Sequence, residues 1–257
     1  MAWTQTYDQD EPQRVNRWLA HSGVCSRREA EALIARGLIS IDGVLVLDAG
    51  HKIAVGQTLT LTDAAGAGAA QVLTVILHKP VGIVSAQPEP GQVPAVRLLT
   101  RAALVGESPL IPDRDTRLAP VGRLDKDSRG LLILSEDGVV AKAVIGPASD
   151  LEKEYRVAVI GEITLAKLAL LRHGLALDGR QLRPAEVSMI ADQRLMIILR
   201  EGRNRQIRRM CDMVGLKVVD LFRVRVGPIG LGDMAEGRWR VLTAQERLKL
   251  VPADQVI

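Results

Sequence analysis

The sequence predicts an α+β protein of two unequal domains, the larger one built on a central, mostly antiparallel sheet. Three observations point there. The chain has 257 residues, enough for one large or two unequal domains. Its β-type and helical runs do not alternate one to one, which argues against a doubly wound parallel fold. A stretch of small, nearly uncharged residues, Thr62 to Gln71, separates two blocks of different character and reads as an interdomain linker. The expected division is therefore a first domain over 14–61, a linker over 62–71 and a second domain over 72–257.

The first block opens with Val15, Trp18 and Leu19 at helical spacing, a run that Gly23 breaks. Ser26-Arg27-Arg28-Glu29 reads as a capping box, because the Ser hydroxyl can accept a first-turn amide and Glu29 can reach back. Ala30, Leu33 and Ile34 form the buried stripe of that second helix, and Gly37 ends it. Asp42-Gly43 lies between the β-rich runs Leu38 to Ile41 and Val44 to Leu47, a strong hairpin signal. Arg14, Arg17, Arg27, Arg28 and Arg36 decorate the two helices. Met1 to Gln13 is polar and acidic, unlike a secretory signal, and is expected to be a loose tail.

In the second block, Val72 to Leu77 is a β-type run and Lys79-Pro80-Val81-Gly82 turns the chain. A Pro/Gly-rich loop, Pro88 to Pro94, precedes an expected helix over Val96 to Leu104. Leu131 to Leu134 reads as a buried strand and Val139 to Ile145 as a short helix. In Glu154 to Ile160, Tyr155, Val157 and Val159 alternate with Arg156 and Ala158, a strand pattern. Thr164 caps a helix reaching Arg172. A strand over Arg194 to Leu199, a helix over Asn204 to Val214 and a strand over Val218 to Val226 follow, and Thr243 caps a closing helix that ends at Leu250.

The chemistry concentrates in Gly122-Arg123-Leu124-Asp125-Lys126-Asp127-Ser128-Arg129-Gly130. One carboxylate, Asp125, sits in a glycine-bounded polar loop among Arg123, Lys126 and Arg129. Opposite charges favour its ionised form, and an ionised, positioned carboxylate can act as nucleophile or base. The second concentration is Arg200 to Met210, with five arginines in ten positions. If a helix opens near Asn204, Arg205, Arg208 and Arg209 are neighbours at three- and four-residue spacing. Such a cluster repels itself unless anions neutralise it, and arginine suits bidentate contacts to phosphate or carboxylate.

These strings resemble the pseudouridine synthases of the RsuA/RluB/RluF family, which modify ribosomal RNA. The resemblance rests on the Asp125 loop with Ser135-Glu136-Asp137-Gly138 after its strand, on Lys153-Glu154-Tyr155, on Gly202-Arg203-Asn204-Arg205-Gln206-Ile207-Arg208, and on Arg238 to Thr243. The block over 14–61 resembles the S4 RNA-binding domain. The family implies Asp125 as the catalytic carboxylate. It also implies Tyr155 as the ring that packs on the target base and assists proton removal, and Arg208 as the partner of Asp125. RNA contacts then fall to Arg123, Lys126, Arg203, Arg205 and Arg209 beside the site, and to Arg14, Arg17, Arg27 and Arg28 on the S4-like helices. Arg123 is the side chain placed to fill the space that a flipped uridine leaves. The large-subunit branch implies 23S ribosomal RNA as substrate, with 16S ribosomal RNA or transfer RNA as alternatives.

The remaining features narrow the class. Aromatics are only 2% of the residues, so the core must be aliphatic and a base-stacking sheet surface is not expected. The net charge of +4 suits an anionic partner. His21, His51, His78 and His173 have no ligand spacing with one another or with Cys25 and Cys211, so no metal is expected. The two cysteines are expected to be free thiols of a reducing cytoplasm. No dinucleotide or P-loop motif is present, so no cofactor is expected, and no apolar run of about 18 residues calls for a membrane span. A monomer is expected, since no self-complementary apolar stripe stands out. Two other readings remain at this stage: a non-catalytic RNA-binding protein, and a hydrolase in which Asp127 would be the second carboxylate.

Overall fold

The computed structural model describes residues 3–22, 24–25, 27–62, 73–113 and 116–251, without the side chain of Arg28. Gly23, Ser26 and all of the expected linker except Thr62 lie outside the described residues. The chain forms two compact units. One comprises the N-terminal residues to Leu73 with the segment Glu136–Lys142 and Val251; the other comprises Thr74–Ser135 and Ala143–Leu250.

The first unit contains strands β1 (Trp3–Thr6) and β2 (Gln13–Arg14), helices α1 (Val15–His21) and α2 (Arg27–Ala35), and strands β3 (Ile39–Ile41), β4 (Val44–Leu45), β5 (Lys52–Ile53) and β6 (Thr58–Leu61). Its main sheet runs β1-β6-β3-β4. Asp42 and Gly43 turn the β3–β4 hairpin with φ of 49° and 80°, the left-handed pair that a two-residue turn needs. Val15, Trp18, Leu19, Ala30, Ile34 and Ile39 meet in its core. Arg14, Arg17, Arg27 and Arg36 are exposed.

The expectation of a loose N-terminal tail is corrected here. Trp3 to Thr6 pair antiparallel with Leu61 to Thr58. Tyr7 is 1% exposed and meets the Trp18 ring edge-on at 5.3 Å, and its hydroxyl donates to the Glu11 carbonyl. Half of the scarce aromatics thus anchor this segment (Trp3, Tyr7 and Trp18).

The second unit carries β7 (Thr74–Lys79), β8 (Ala119–Val121), β9 (Arg129–Ser135), β10 (Lys153–Ile160), β11 (Ala176–Leu177), β12 (Arg180–Gln181), β13 (Glu186–Ala191), β14 (Arg194–Leu199), β15 (Lys217–Val226), β16 (Ile229–Gly230) and β17 (Trp239–Val241). Helix α3 (Gly138–Ile145) follows β9 and belongs to the first unit as far as Lys142, and α4 (Leu165–Arg172), α5 (Gln206–Met213) and α6 (Ala244–Leu250) complete the second. Strands β13-β14-β10-β15-β9-β7-β17 form one path, with β8 on β9 and β16 on β15. Of these pairings only β9 with β15 is parallel. The fold class is therefore α+β with a central, mostly antiparallel sheet.

The helix expected over Val96 to Leu104 is instead two 3-10 turns, Ala95–Leu98 and Arg101–Ala103. Thr100 between them is extended, with φ −98° and ψ 159°, and its carbonyl accepts the indole N–H of buried Trp239. That tertiary bond outweighs the local helical preference.

Register places the site. Tyr155 on β10 lies opposite Arg223 on β15, Arg223 opposite Gly130 on β9, and Gly130 opposite Lys79 on β7. Side chains one residue along point to the other face. There Arg129 sits 4.1 Å over the Phe222 ring while gripping Asp220 through two hydrogen bonds.

Candidate active site

The Asp125 loop joins β8 to β9 and is pinned from several sides. Gly122 opens it at φ +81°. The buried Ser85 hydroxyl donates to the Leu124 carbonyl and accepts the Leu124 amide, at 2.7 and 2.9 Å. Gly82 N–H donates to the Lys126 carbonyl, and Ser128 N–H to the Asp125 carbonyl. Arg223, 4% exposed, donates to the Leu131 carbonyl at 2.8 Å and the Arg123 carbonyl at 3.4 Å. At Gly130 the backbone of β15 comes so close that an added Cβ would stand 2.2 Å from the Arg223 carbonyl oxygen. A loop fixed this way presents its carboxylate in one position before any ligand arrives.

The arginine cluster divides between two loops. Arg205 grips Asp127 through both terminal nitrogens, at 3.2 and 3.1 Å, and also reaches Asp125 at 3.5 Å. Arg208 donates to the Asp127 carbonyl and the Ser128 hydroxyl, and its Nε lies 3.3 Å from the Asp127 carboxylate. The pairing of Arg208 with Asp125 is thus replaced by an Arg205 contact. The physical reason is that α5 begins at Gln206, with Arg205 as its N-cap in the left-handed region at φ 49°, which turns that side chain toward both carboxylates. Burial pushes the Asp127 carboxyl up, but the Arg205 hydrogen bonds and the charges of Arg208 and Arg205 outweigh it and leave it below the usual carboxylate range.

Arg203 and Arg209 bind the neighbouring hairpin instead of the Asp125 loop. Arg203 donates to the carbonyls of Leu177, Arg180 and Gln181, and its Nε to Glu201. Arg209 holds Asp178 through two bonds of 2.9 and 2.7 Å. Both therefore clamp the β11–β12 hairpin to the start of α5. In the structure the donors of both serve the protein itself. Arg123 and Lys126 are exposed on the loop, and Arg123 lines the cleft with Asp125.

Asp125, 31% exposed, opens onto a cleft of about 720 Å³ that Tyr155, Ile207 and Leu221 also line. That volume lies within the roughly 300–1,000 Å³ usual for ligand clefts. Tyr155 is 9% exposed and follows Arg223 in the cross-sheet row. Arg123, Lys153, Arg183, Arg200, Arg203, Arg205 and Arg223 add positive charge to the same cleft. Among the described residues no group of three or more His, Cys, Asp or Glu side chains could hold a metal.

Sequence reasoning missed Arg223, Lys79 and Arg183. Alternation along β15 and β7 could have placed Arg223 and Lys79 on one face, but which face carries the site depends on sheet order. Lys79 is 0% exposed and its ammonium donates to the carbonyls of Pro80 and Ile83 at 2.8 and 2.7 Å. Burial lowers its pKa to about 8, opposed by the nearby charges of Asp125 and Asp127. No local signal marked Arg183, which reaches the cleft from the loop after β12.

A preorganised carboxylate and an aromatic ring thus line one basic cleft, and comparison with known proteins identifies the family. The profile of the RNA pseudouridylate synthases matches residues 73–213, and that of the S4 domain matches residues 13–59. A Salmonella typhi dual-specificity RNA pseudouridine synthase RluF is 32% identical over 94% of this chain and 79% of its own length. A Bacillus subtilis ribosomal large subunit pseudouridine synthase B is 31% identical over 93% and 95%. A solved crystal structure of a pseudouridylate synthase superposes with a TM-score of 0.65, at 26% identity over 93% of this chain and 99% of the other.

Proposed function

The chain belongs to the RNA pseudouridylate synthase family, and from that premise we propose that it isomerises a uridine of 23S ribosomal RNA with Asp125 as catalytic carboxylate. That it is an RNA pseudouridine synthase, an isomerase with an S4 domain, follows from the family. The observation that carries the finer reading is the cleft in which the pinned Asp125 faces outward beside Tyr155.

In this reading the target uridine leaves its stack, at a cost of a few kcal/mol, and enters the cleft with its C1′ near Asp125. The N1–C1′ bond breaks, the uracil turns, C5 bonds to C1′, and the C5 proton is lost while N1 gains one. Nothing is added to or removed from the nucleoside, so the reaction needs no group donor. Tyr155 packs on the uracil and assists removal of the C5 proton. Arg205 touches Asp125 through one contact, which leaves carboxylate oxygen free for the substrate. Arg208 acts on the loop backbone and on Asp127. Arg123 takes the vacated space in the RNA. Lys126 beside the site and Arg14, Arg17, Arg27 and Arg28 of the S4 unit hold phosphates, so binding weakens with salt.

The large-subunit name of the Bacillus relative supports 23S ribosomal RNA, and the dual-specificity name of the Salmonella relative supports testing a second RNA class. A monomer acting in the cytoplasm is consistent with this reading; no described helix is long and apolar enough to cross a membrane. The test is a pseudouridine map of 23S, 16S and transfer RNA from cells lacking the protein, by carbodiimide treatment and primer extension. One lost 23S site restored by the wild type and not by Asp125→Ala is the expected result. A site lost only from 16S or transfer RNA would overturn the substrate, and no lost site would overturn the activity in the cell.

A further inference from the structure

We propose that Arg183 and Arg200 form a clamp for one backbone phosphate of the RNA next to the target uridine, and that Asp150 occupies this clamp when RNA is absent. Both arginines line the cleft that holds Asp125. The inference rests on the reading that this cleft receives an RNA uridine.

The geometry is that of one anion bridging two guanidinium groups. Oδ1 of Asp150 accepts from Arg183 and Oδ2 from Arg200, the latter at 3.3 Å. Two non-bridging phosphate oxygens can span the same pair. Each arginine also has a second anchor that does not depend on Asp150. Arg183 donates a further bond to the Arg200 carbonyl at 3.1 Å, and its backbone N–H donates to Glu201. Arg200 donates to Glu152 at 2.8 Å, and Glu152 is itself held by Arg225 at 3.1 Å. Removal of Asp150 therefore leaves two oriented guanidinium groups in place. Asp150 is the exchangeable member: its side chain is 56% exposed.

Charge favours the exchange. Lys153, in the same cleft, has its pKa lowered by burial and then by the charges of Arg223 and Arg183. Of the carboxylates here, Asp150 is the one that both arginines share, while Glu152 holds Arg200 alone. The Arg183 hydrogen bond holds the Asp150 carboxyl below the usual carboxylate range, so Asp150 is an anion at neutral pH and competes directly with phosphate. Ion pairs this exposed contribute little net stability, so the competing contact is easily displaced.

The test measures binding of the full chain to a fluorescein-labelled oligouridylate of roughly twelve nucleotides, by anisotropy across a salt series. Asp150→Asn should tighten binding about three- to tenfold at low salt and steepen the slope of log K against log salt by about 0.7, since no internal anion must be displaced. Arg183→Gln and Arg200→Gln should each weaken binding, and Asp150→Asn added to the double Gln variant should no longer tighten it. Asp150→Ala is run beside Asp150→Asn, and equal tightening by both assigns the effect to loss of the anion. Unchanged or weaker binding by both Asp150 variants, with unaltered melting, would overturn the clamp and leave Asp150 as a brace. Pseudouridine formation is scored separately on ribosomal RNA. Loss of tightening with the isomerase intact removes only the clamp, and tightening without isomerase removes only the catalytic reading.

Discussion

Replacing Gly130 with alanine should cost more stability than almost any other one-carbon change in this chain. The residue has φ +114°, a region that side chains rarely adopt, and its strand neighbour is the Arg223 backbone. An added Cβ would stand 2.2 Å from the Arg223 oxygen, 2.7 Å from its nitrogen and 2.9 Å from its carbonyl carbon. The first contact is more than an ångström inside ordinary van der Waals separation, and the obstacle is backbone, which cannot swing aside. Backbone strain in such a region is about 1–3 kcal/mol, and forced overpacking adds about 1–3 kcal/mol. Together they predict a loss of about 2–6 kcal/mol, read as a fall in the urea midpoint at unchanged slope. Because Arg223 also pins the Arg123 and Leu131 carbonyls, the surviving folded fraction should isomerise uridine slowly. A loss below about 1 kcal/mol would refute the close-approach argument, since ordinary surface changes already lie within that range.

Three further outcomes follow from the same geometry. Asp127→Asn releases Arg205 from its bidentate hold, and it should slow single-turnover isomerisation about tenfold while RNA affinity shifts less than about threefold, with about 1 kcal/mol of stability lost. Lys79 carries a folded pKa of about 8 against an ordinary 10.5, so its burial cost is fully present below pH 8 and is relieved as pH rises toward 10.5. Stability attributable to Lys79 should therefore rise across that window by about 3 kcal/mol at most, and the rise should appear in the difference between wild type and Lys79→Met in melts from pH 7 to 10.5 and be absent from the variant alone. Arg203→Ala removes the donor to three carbonyls of the β11–β12 hairpin, and hydrogen exchange should accelerate over residues 176–181 with a global loss of about 1–3 kcal/mol.

What the sequence disclosed depended on how local each signal was. The Asp125 loop was legible because its glycines, its carboxylate and the apolar strand after it lie within thirteen residues. The Asp42-Gly43 hairpin and the Thr164 cap were legible for the same reason, and Thr164 does accept the Lys167 amide. The strand at Trp3 to Thr6 was not, because its partner is β6, more than fifty residues away, and its own residues are mostly polar. The arginine cluster was visible as a cluster, but its division of labour was not. Whether Arg205 or Arg208 meets Asp125 turns on a helix start two residues later than the pattern suggested, and helix ends are poorly fixed by sequence. Arg203 and Arg209 find partners in a hairpin more than twenty residues upstream, which no local spacing announces. The bridge from Asp150 to Arg183 and Arg200 was hidden for the same reason.

The most direct test of the central claim is single-turnover pseudouridine formation by the purified full chain on protein-free 23S ribosomal RNA, comparing wild type with Asp125→Asn. The account predicts a site-specific product with the wild type, and RNA binding within about threefold but no product above background with Asp125→Asn, a loss beyond about a thousandfold. An Asp125→Asn rate within about tenfold of wild type would contradict it, because the cleft would then be working without its carboxylate.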